Sequence, residues 1–572
     1  MNPSPTSERK FSRTLVTSAL PYANGEIHLG HLAGAYLPAD IYVRYLRLRG
    51  EDVLYICGTD EYGVPITLTA ERQGISPKEL VDRNHASIRK SFADFGMSFD
   101  NFSQTSRPIH TETSQAFFTD LHSQGVFRQK TTEQFYSPSQ QRFLADRYIE
   151  GTCPRCKAEG ARGDQCEKCG SSLDPTELIE PRNAQDGSPL ELRETTHWFL
   201  PLGDFQDRLI AMIDAHPEWK DNVKQYCRGW FKDGLEDRAV TRDLGWGVQV
   251  PLPDHDGKVF YVWFEAPIGY ISSTREWAAA QGDPEQWRRW WQDPETRLVH
   301  FIGKDNVFFH AVMFPAMLMA HSENYVLADN VPANEFLNLE GQKLSTSRGF
   351  AVWLPEYLEK FQADPLRYTL ARNLPETRDM NFTWEGFQAR NNNELGNNFG
   401  NLINRIFTFV HKYFDGVVPE WSEAMMTDLD RQALAEVEAD LQEWARRLGT
   451  FDVKAAVEAA FHAGQVGNRY FDESAPFKTR KTDLERCGHS LGVSLQIIRM
   501  LAVMLAPVVP FAMEKLWNWL GMETALWRGG WNEGCRPIPP GRKLGTPEIL
   551  FPRLDDEVIQ PEVERLKKLL EG

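Results

Sequence analysis

The sequence predicts an α/β protein: a parallel-sheet domain, interrupted by a cysteine-knuckle insertion and followed by an α-helical bundle. Three observations predict it. Thr14–Leu20, Val53–Cys57 and Leu298–Ile302 are short, β-branched, apolar runs between helical stretches, the pattern of strands buried on both faces. Two Cys-x2-Cys pairs, Cys153/Cys156 and Cys166/Cys169, fall between the second and third runs. From Phe387 onward the periodicity is almost wholly helical.

Composition sets the bounds. At 572 residues and roughly 150 per domain, three to five domains are expected. A 41% hydrophobic, 25% charged chain can bury a large core. A net charge of −17 argues against a protein that coats nucleic acid indiscriminately, while leaving room for a local basic surface. The opening MNPSPTSERK has no apolar signal core, and the longest apolar run, Leu501–Phe511, carries two prolines and is too short for a bilayer. A soluble cytoplasmic protein with no membrane partner is expected. Four clustered cysteines in a reducing compartment point to metal.

The first strand runs into Pro21-Tyr-Ala-Asn-Gly-Glu-Ile-His-Leu-Gly-His31, a tight turn opening a helix. Such a turn offers backbone N–H groups to a phosphate. His28 and His31 share one face of the first helical turn, and Gly30 leaves space for a flat ring. Two imidazole donors there suit a polyphosphate whose charge grows in a transition state; two ordinary surface histidines are the alternative. Leu32–Arg49 continues as helix, with a kink expected at Pro38.

The second strand ends in Gly58-Thr-Asp-Glu-Tyr-Gly63, at the sheet edge that holds ligands in open α/β folds. Asp60 is there either to pair with an α-ammonium group or to cap the next helix. Residues 64–125 read as helices. The two Cys-x2-Cys pairs then offer four thiolates for a closed tetrahedral site, hence structural Zn²⁺ rather than a catalytic ion, with Gly160, Gly163 and Gly170 permitting the turns; four reduced free thiols are the alternative. Trp246–Val250 and Lys258–Phe264 read as strands. Trp263, Pro267 and Tyr270 are candidate pocket walls or plain core. His310 and Phe314 fall four apart on one helix, where a lone histidine is as readily a core residue. Lys343-Leu-Ser-Thr-Ser347 is a polar loop that either closes on a triphosphate or is simply solvated.

Later, Asp364 and Pro365 suggest an N-cap and first helical residue. Leu395, Phe399, Leu402 and Ile406 form an apolar stripe. Asn397, Asn401 and Arg405 form a ridge on another face, suited to exposed base edges or to solvent.

Together these motifs resemble the methionyl family of class I aminoacyl-tRNA synthetases. His28-Leu-Gly-His31 and Lys343-Leu-Ser-Thr-Ser347 resemble its two signatures, and ALPYANGEIHLGH, FLADRYIEGTCPRC, GDQCEKCG, YVWFEAPIGY and FIGKDN resemble its other segments, over residues from about 12 to 520. The resemblance implies a Rossmann-like catalytic domain split by the zinc knuckle, then a helical anticodon-binding domain. The expected boundaries are 1–125 and 236–335 for the catalytic halves, 126–235 for the insertion, 336–385 for the signature loop and linker, 386–535 for the helical domain and 536–572 for a tail with a short helix. It implies an ATP site of Asn24, His28, Gly30, His31, Lys343, Ser345, Thr346 and Ser347, with His28, His31, Lys343 and Thr346 in the catalytic positions. It implies a methionine pocket of Leu20, Tyr22, Asp60, Trp263, Pro267, Tyr270, His310 and Phe314, in which Asp60 holds the ammonium and the aromatics enclose the thioether. Asn397, Asn401, Arg405 and Phe477 match anticodon-reading positions.

The implied reaction joins L-methionine to ATP as methionyl-adenylate, with Mg²⁺ on the phosphates, then passes methionyl to tRNA(Met). Two departures stand out: Thr346 replaces the second signature lysine, leaving Lys343 or Lys304 to supply charge, and Phe314 replaces a tryptophan. The appended oligonucleotide-binding domain of some members is absent, so either a short monomeric form or a truncated one is expected. The branched-chain enzymes of the class carry an editing insertion that does not fit here, and the cysteine enzyme's zinc needs an open position. A catalytically impaired tRNA-binding homologue is the alternative, and Thr346 is the feature in its favour.

Overall fold

The computed structural model describes residues 11–163, 166, 168–169, 173, 175–253, 257–345 and 349–571. Arg13–Ser18 (β1) buries every side chain, which is why it reads as an unbroken apolar run. It lies between Val53–Thr59 (β2) and Thr296–Gly303 (β4), with Asn101–Gln104 (β3) beyond β2 and Ala328–Asn330 (β5) beyond β4. All these pairings are parallel, with Leu15 facing Leu54 on one side and Leu298 on the other. Ala333–Asn334 adds a short parallel pair to the end of β4. The order β3-β2-β1-β4-β5 reverses direction between β1 and β4. In open α/β sheets the crevice beyond the strand ends at that reversal is where ligands bind.

The helix after β1 has an unexpected start. One α turn, Leu29–His31, passes into a π segment, Leu32–Tyr36, before Leu37–Leu48 continues as α-helix. Pro38 explains this. A proline within a regular helix lacks an N–H and collides with the preceding turn, and the wider π turn removes that conflict.

Several expected elements differ. Trp246–Val250 forms only an isolated bridge, Gln249 to Val259. The strand starting at Lys258 stops at Phe260, and Val262–Glu265 turns helical. Its aromatic and β-branched residues favour strand intrinsically, but tertiary packing turns the chain here. β3 was hidden within the expected helical stretch because it is only four residues long at the sheet edge. Asp364 does not cap its own helix, which starts at Ala363 after Gln362. Its buried carboxylate accepts from the Ala512 N–H (2.7 Å), a free donor in the first turn of Pro510–Trp519. Burial pushes the Asp364 carboxyl up to about 6.

The insertion consists of a long antiparallel pair, Arg128–Ser137 with Glu191–Leu200, and a small three-stranded sheet around Ile149–Thr152 that carries the cysteines. Its apolar core packs against Val64 and Leu68 of the helix Val64–Gln73. The C-terminal bundle comprises Asn401–Tyr413, Asp428–Gly449, Val453–Ser474, Leu484–Leu505 and Pro510–Trp519. Leu484–Leu505 is long and apolar enough to cross a membrane, yet its apolar window is wholly buried as the bundle's central helix. Sheet domain and bundle are joined by a buried charge network. Arg367 donates to Asp40 (2.6 Å) and to the Pro507 and Val508 carbonyls, and Arg44 donates to the same Asp40 oxygen (2.9 Å). These partners hold the Asp40 carboxyl down at about 2 despite its burial. Removing Asp40 would strand the fully buried Arg367 without its carboxylate, at a cost of roughly 3–5 kcal/mol. The tail helix Asp556–Glu571 packs back on the segment after the lysine loop, where Glu562 pairs with Lys360 and Arg565 donates to the Ala351 carbonyl.

Candidate active site

A cleft of about 940 Å³ opens beyond β1 and β4, at the reversal point. Ala19, Leu20 and Pro21 line it from β1, and Gly303, Asp305 and Asn306 from β4. His28 and His31 form its floor, stacked with centroids 3.7 Å apart and planes 16° apart. Each Nδ1 accepts a backbone hydrogen bond: His28 from the Gly30 N–H (3.1 Å), His31 from the His28 N–H (3.2 Å). Both rings therefore carry their hydrogen on Nε2. Burial lowers His28 to about 2, with the neighbouring His31 adding to the shift, and burial lowers His31 to about 4. The pair offers neutral N–H donors, not charge.

The start of the second signature, Lys343–Leu344, lies over the first. Lys343 and Leu344 line the cleft, and a Cβ on Gly30 would sit 2.7 Å from Leu344. Two backbone hydrogen bonds anchor the loop's far side to the histidine turn: Leu29 N–H to the Val352 carbonyl (3.3 Å) and Leu354 N–H to the Ile27 carbonyl (2.8 Å). Ser345 closes on Phe350 through its N–H (3.0 Å). Thr346 and Ser347 lie outside the described residues. Asn24 and Gly30 also line the cleft. Lys304 does not, since it is held by Glu335 (2.8 Å) and Asp379 (3.2 Å).

The expected methionine residues fall into two groups. Leu20 and Tyr22 line the cleft. Asp60, Trp263, Pro267, Tyr270, His310 and Phe314 do not; Asp60, Trp263 and His310 each contact a residue that does, Tyr22 or Asn306. Tyr22 and Asp60 are bridged through backbone at the ends of β1 and β2. Tyr22 meets Trp263 edge-on (6.1 Å), and Trp263 stacks on Phe309 (3.9 Å, 9°). Tyr270 donates to His310 Nε2 (2.7 Å), because His310 Nδ1 already donates to the Asn306 carbonyl (3.0 Å). Burial takes His310 down to about 4, so it is neutral. Phe314 is fully buried one layer further back, against Tyr270 and His300. Asp60 is raised well above the usual carboxylate range, first by burial and then by Glu265 and Glu61 nearby. The sequence reading missed Phe309, Trp353 and Glu335. Trp353, tilted against His28 at 5.6 Å, was readable only from its place just past the lysine loop.

The four cysteine sulfurs lie within 4.8 Å of one another, with Cys153–Cys169 at 3.9 Å and Cys156–Cys166 at 3.6 Å. A tetrahedral Zn²⁺ with bonds near 2.3 Å sets sulfurs about 3.8 Å apart, so the residues fit that ion. Gly160 takes φ +73°, and a Cβ on Gly163 would meet the Asp146 carbonyl at 2.6 Å, so both turns need glycine; Gly170 lies outside the described residues.

Far from the cleft, Asn397 and Asn401 are exposed on one continuous helical run with Arg405. Arg405 pairs with Asp472 (2.7 Å) above the Phe471 ring (4.2 Å). Phe477, partly exposed, follows five residues after Asp472 on the next short helix.

Residues 14–407 match the profile of "tRNA synthetases class I (M)" and residues 418–568 that of "Anticodon binding domain of methionyl tRNA ligase". The chain belongs to the methionyl family of class I tRNA synthetases. It is 51% identical to the methionine–tRNA ligase of Bacteroides fragilis over 563 residues, spanning 98% of this chain and 81% of that one. Against the Porphyromonas gingivalis ligase the identity is 50%, over 98% and 82%. The solved Mycobacterium tuberculosis methionyl-tRNA synthetase in complex with methionyl-adenylate superposes with a TM-score of 0.78 at 28% identity, covering 95% of this chain and all of that one.

Proposed function

We propose that this cleft performs the family's reaction as an active methionine–tRNA ligase. L-Methionine and ATP give methionyl-adenylate and pyrophosphate, and methionyl is then passed to the 3′ end of tRNA(Met). The observation carrying this reading is the stacked pair of neutral imidazoles with both Nδ1 atoms already occupied. Each ring is left one fixed Nε2–H for the phosphates, so neither must reorganise as charge develops. Lys343 adds the positive charge from the loop above.

On this reading Asp60 takes the α-ammonium, while Leu20, Tyr22, Trp263, Pro267, Tyr270 and His310 surround the thioether, backed by Phe314. The methionine carboxylate attacks the α-phosphorus in line, and no side chain becomes covalently bound; alignment and charge neutralisation supply the catalysis. Mg²⁺ bound with ATP would supply further neutralisation of the phosphoryl charge. Cys153, Cys156, Cys166 and Cys169 hold Zn²⁺ as a closed structural site. Asn397, Asn401, Arg405 and Phe477 read the anticodon, Phe477 by stacking. The same reading takes the protein as a cytoplasmic monomer. Charging of a tRNA(Met) transcript with labelled methionine tests it. Acid-precipitable methionyl-tRNA is expected, and binding of the transcript without charging would favour the impaired homologue.

A further inference from the structure

Among the described residues, the cleft is short of positive charge for a tetra-anionic nucleotide. Thr346 stands where the family signature has a lysine, and Lys304 is bound to Glu335 and Asp379. Among the described residues lining the cleft, Lys343 and Arg72 are the lysines and arginines, against the acids Glu26, Asp305 and Glu335. Arg72 sits in the last turn of the helix Val64–Gln73, one turn after Thr69, which lines the same wall.

The helix is two-sided. Its other face is committed to the insertion: Thr67 meets the Tyr148 hydroxyl (3.0 Å), and Glu71 accepts from Gln185 (2.7 Å). Arg72 has no hydrogen-bond or carboxylate partner among the described residues, and it is exposed. An unpaired guanidinium lining the same cleft as the Asn24–Glu26 turn is available to a phosphate, which it can bind with two parallel N–H donors.

We propose that Arg72 holds the β- and γ-phosphates of ATP opposite Lys343, supplying the cation that the loop lacks at position 346. This rests on the ligase reading above. When the methionine oxygen bonds to the α-phosphorus, the bond from that phosphorus to the bridging oxygen breaks, and its electron pair stays on pyrophosphate. Arg72 then stabilises the leaving group and becomes a catalytic residue for adenylate formation. It has no part in the transfer to tRNA, which releases AMP.

The test is methionine-dependent ATP–pyrophosphate exchange without tRNA, on wild type, Arg72→Gln and Arg72→Lys. Arg72→Gln should lower kcat/KM for ATP by roughly 10- to 100-fold, the size of a lost hydrogen bond to a charged group. Arg72→Lys should recover part of the loss. Thr346→Lys placed in the Arg72→Gln background should recover most of it, a rescue that a merely structural role would not produce. Thermal midpoints should not move. Single-turnover transfer from preformed adenylate to tRNA should be unchanged. Wild-type exchange in Arg72→Gln overturns the inference while leaving the ligase reading intact. A loss confined to the transfer step also overturns it, because Arg72 would then be serving an RNA phosphate. No exchange by wild type removes the ligase reading and this inference together.

Discussion

His28 holds two jobs on different atoms, and substitution can separate them. Nδ1 caps the helix start by accepting the Gly30 N–H (3.1 Å), and Nε2–H is the donor left for phosphate. An N-cap is worth roughly 0.5–2 kcal/mol. A preorganised transition-state donor is worth roughly 10²–10³ in rate. Asparagine is itself a good cap, and its side-chain oxygen can take the Gly30 N–H, but it cannot reach the Nε2 position. His28→Ala should therefore lose both functions: adenylate formation down by about 10²–10³, and a Tm lower by about 2–4 °C for a cap lost from the catalytic unit. His28→Asn should lose the same activity while keeping nearly the wild-type Tm. Pyrophosphate exchange and calorimetric melting are the paired assays. Because the folded ring is neutral near neutrality, with its titration lowered to about 2, neither deficit should be recovered between pH 6 and 9. Full activity in His28→Asn would refute the donor role of Nε2. Equal destabilisation of the two variants would refute the cap.

Three further outcomes follow from the geometry. Burial, Glu265 and Glu61 raise the Asp60 carboxyl, and only its ionised form attracts an ammonium, so methionine binding should tighten as pH rises through that shifted value and then level off. The slope should approach about tenfold per pH unit on the acid side; a methionine affinity flat from pH 5 to 8, measured by calorimetry, would contradict it. Chelating zinc should open the small sheet around Cys153–Cys169 to proteases before exchange activity falls, because the core of that sheet packs on Val64 and Leu68 and none of its residues lines the cleft; an unchanged digestion pattern would contradict the zinc assignment. Phe477→Ala should cut tRNA charging efficiency by roughly tenfold or more, the value of one base stack, with pyrophosphate exchange untouched; equal loss in both assays would show that the ring supports the fold.

What was legible in the sequence follows from how local each signal is. β1, β2 and β4 announce themselves because strands buried on both faces need unbroken apolar runs. The cysteine pairs are legible because ligand spacing is set by the ion's own geometry. The Leu395, Phe399, Leu402 and Ile406 stripe is legible because all four are buried on one helical face. By contrast, Val262–Glu265 looks like strand and is helical, since packing at the cleft overrides its propensity. Asp364 looks like a cap for its own helix, and its partner is Ala512, 148 residues away. Arg72 carries no motif at all; only the fold shows that one face of its helix borders the cleft while the other is taken up by the insertion. Chemistry written in contiguous residues can be read early, whereas walls assembled from separate elements have to be folded first.

Amino-acid-dependent exchange of labelled pyrophosphate into ATP bears most directly on the central claim that this cleft activates one amino acid against a nucleotide's phosphates. Label should enter ATP with L-methionine and without tRNA, far outpacing leucine, isoleucine, valine or cysteine at equal concentration. Incorporation that ignores methionine, or that one of those four drives equally well, would contradict the account.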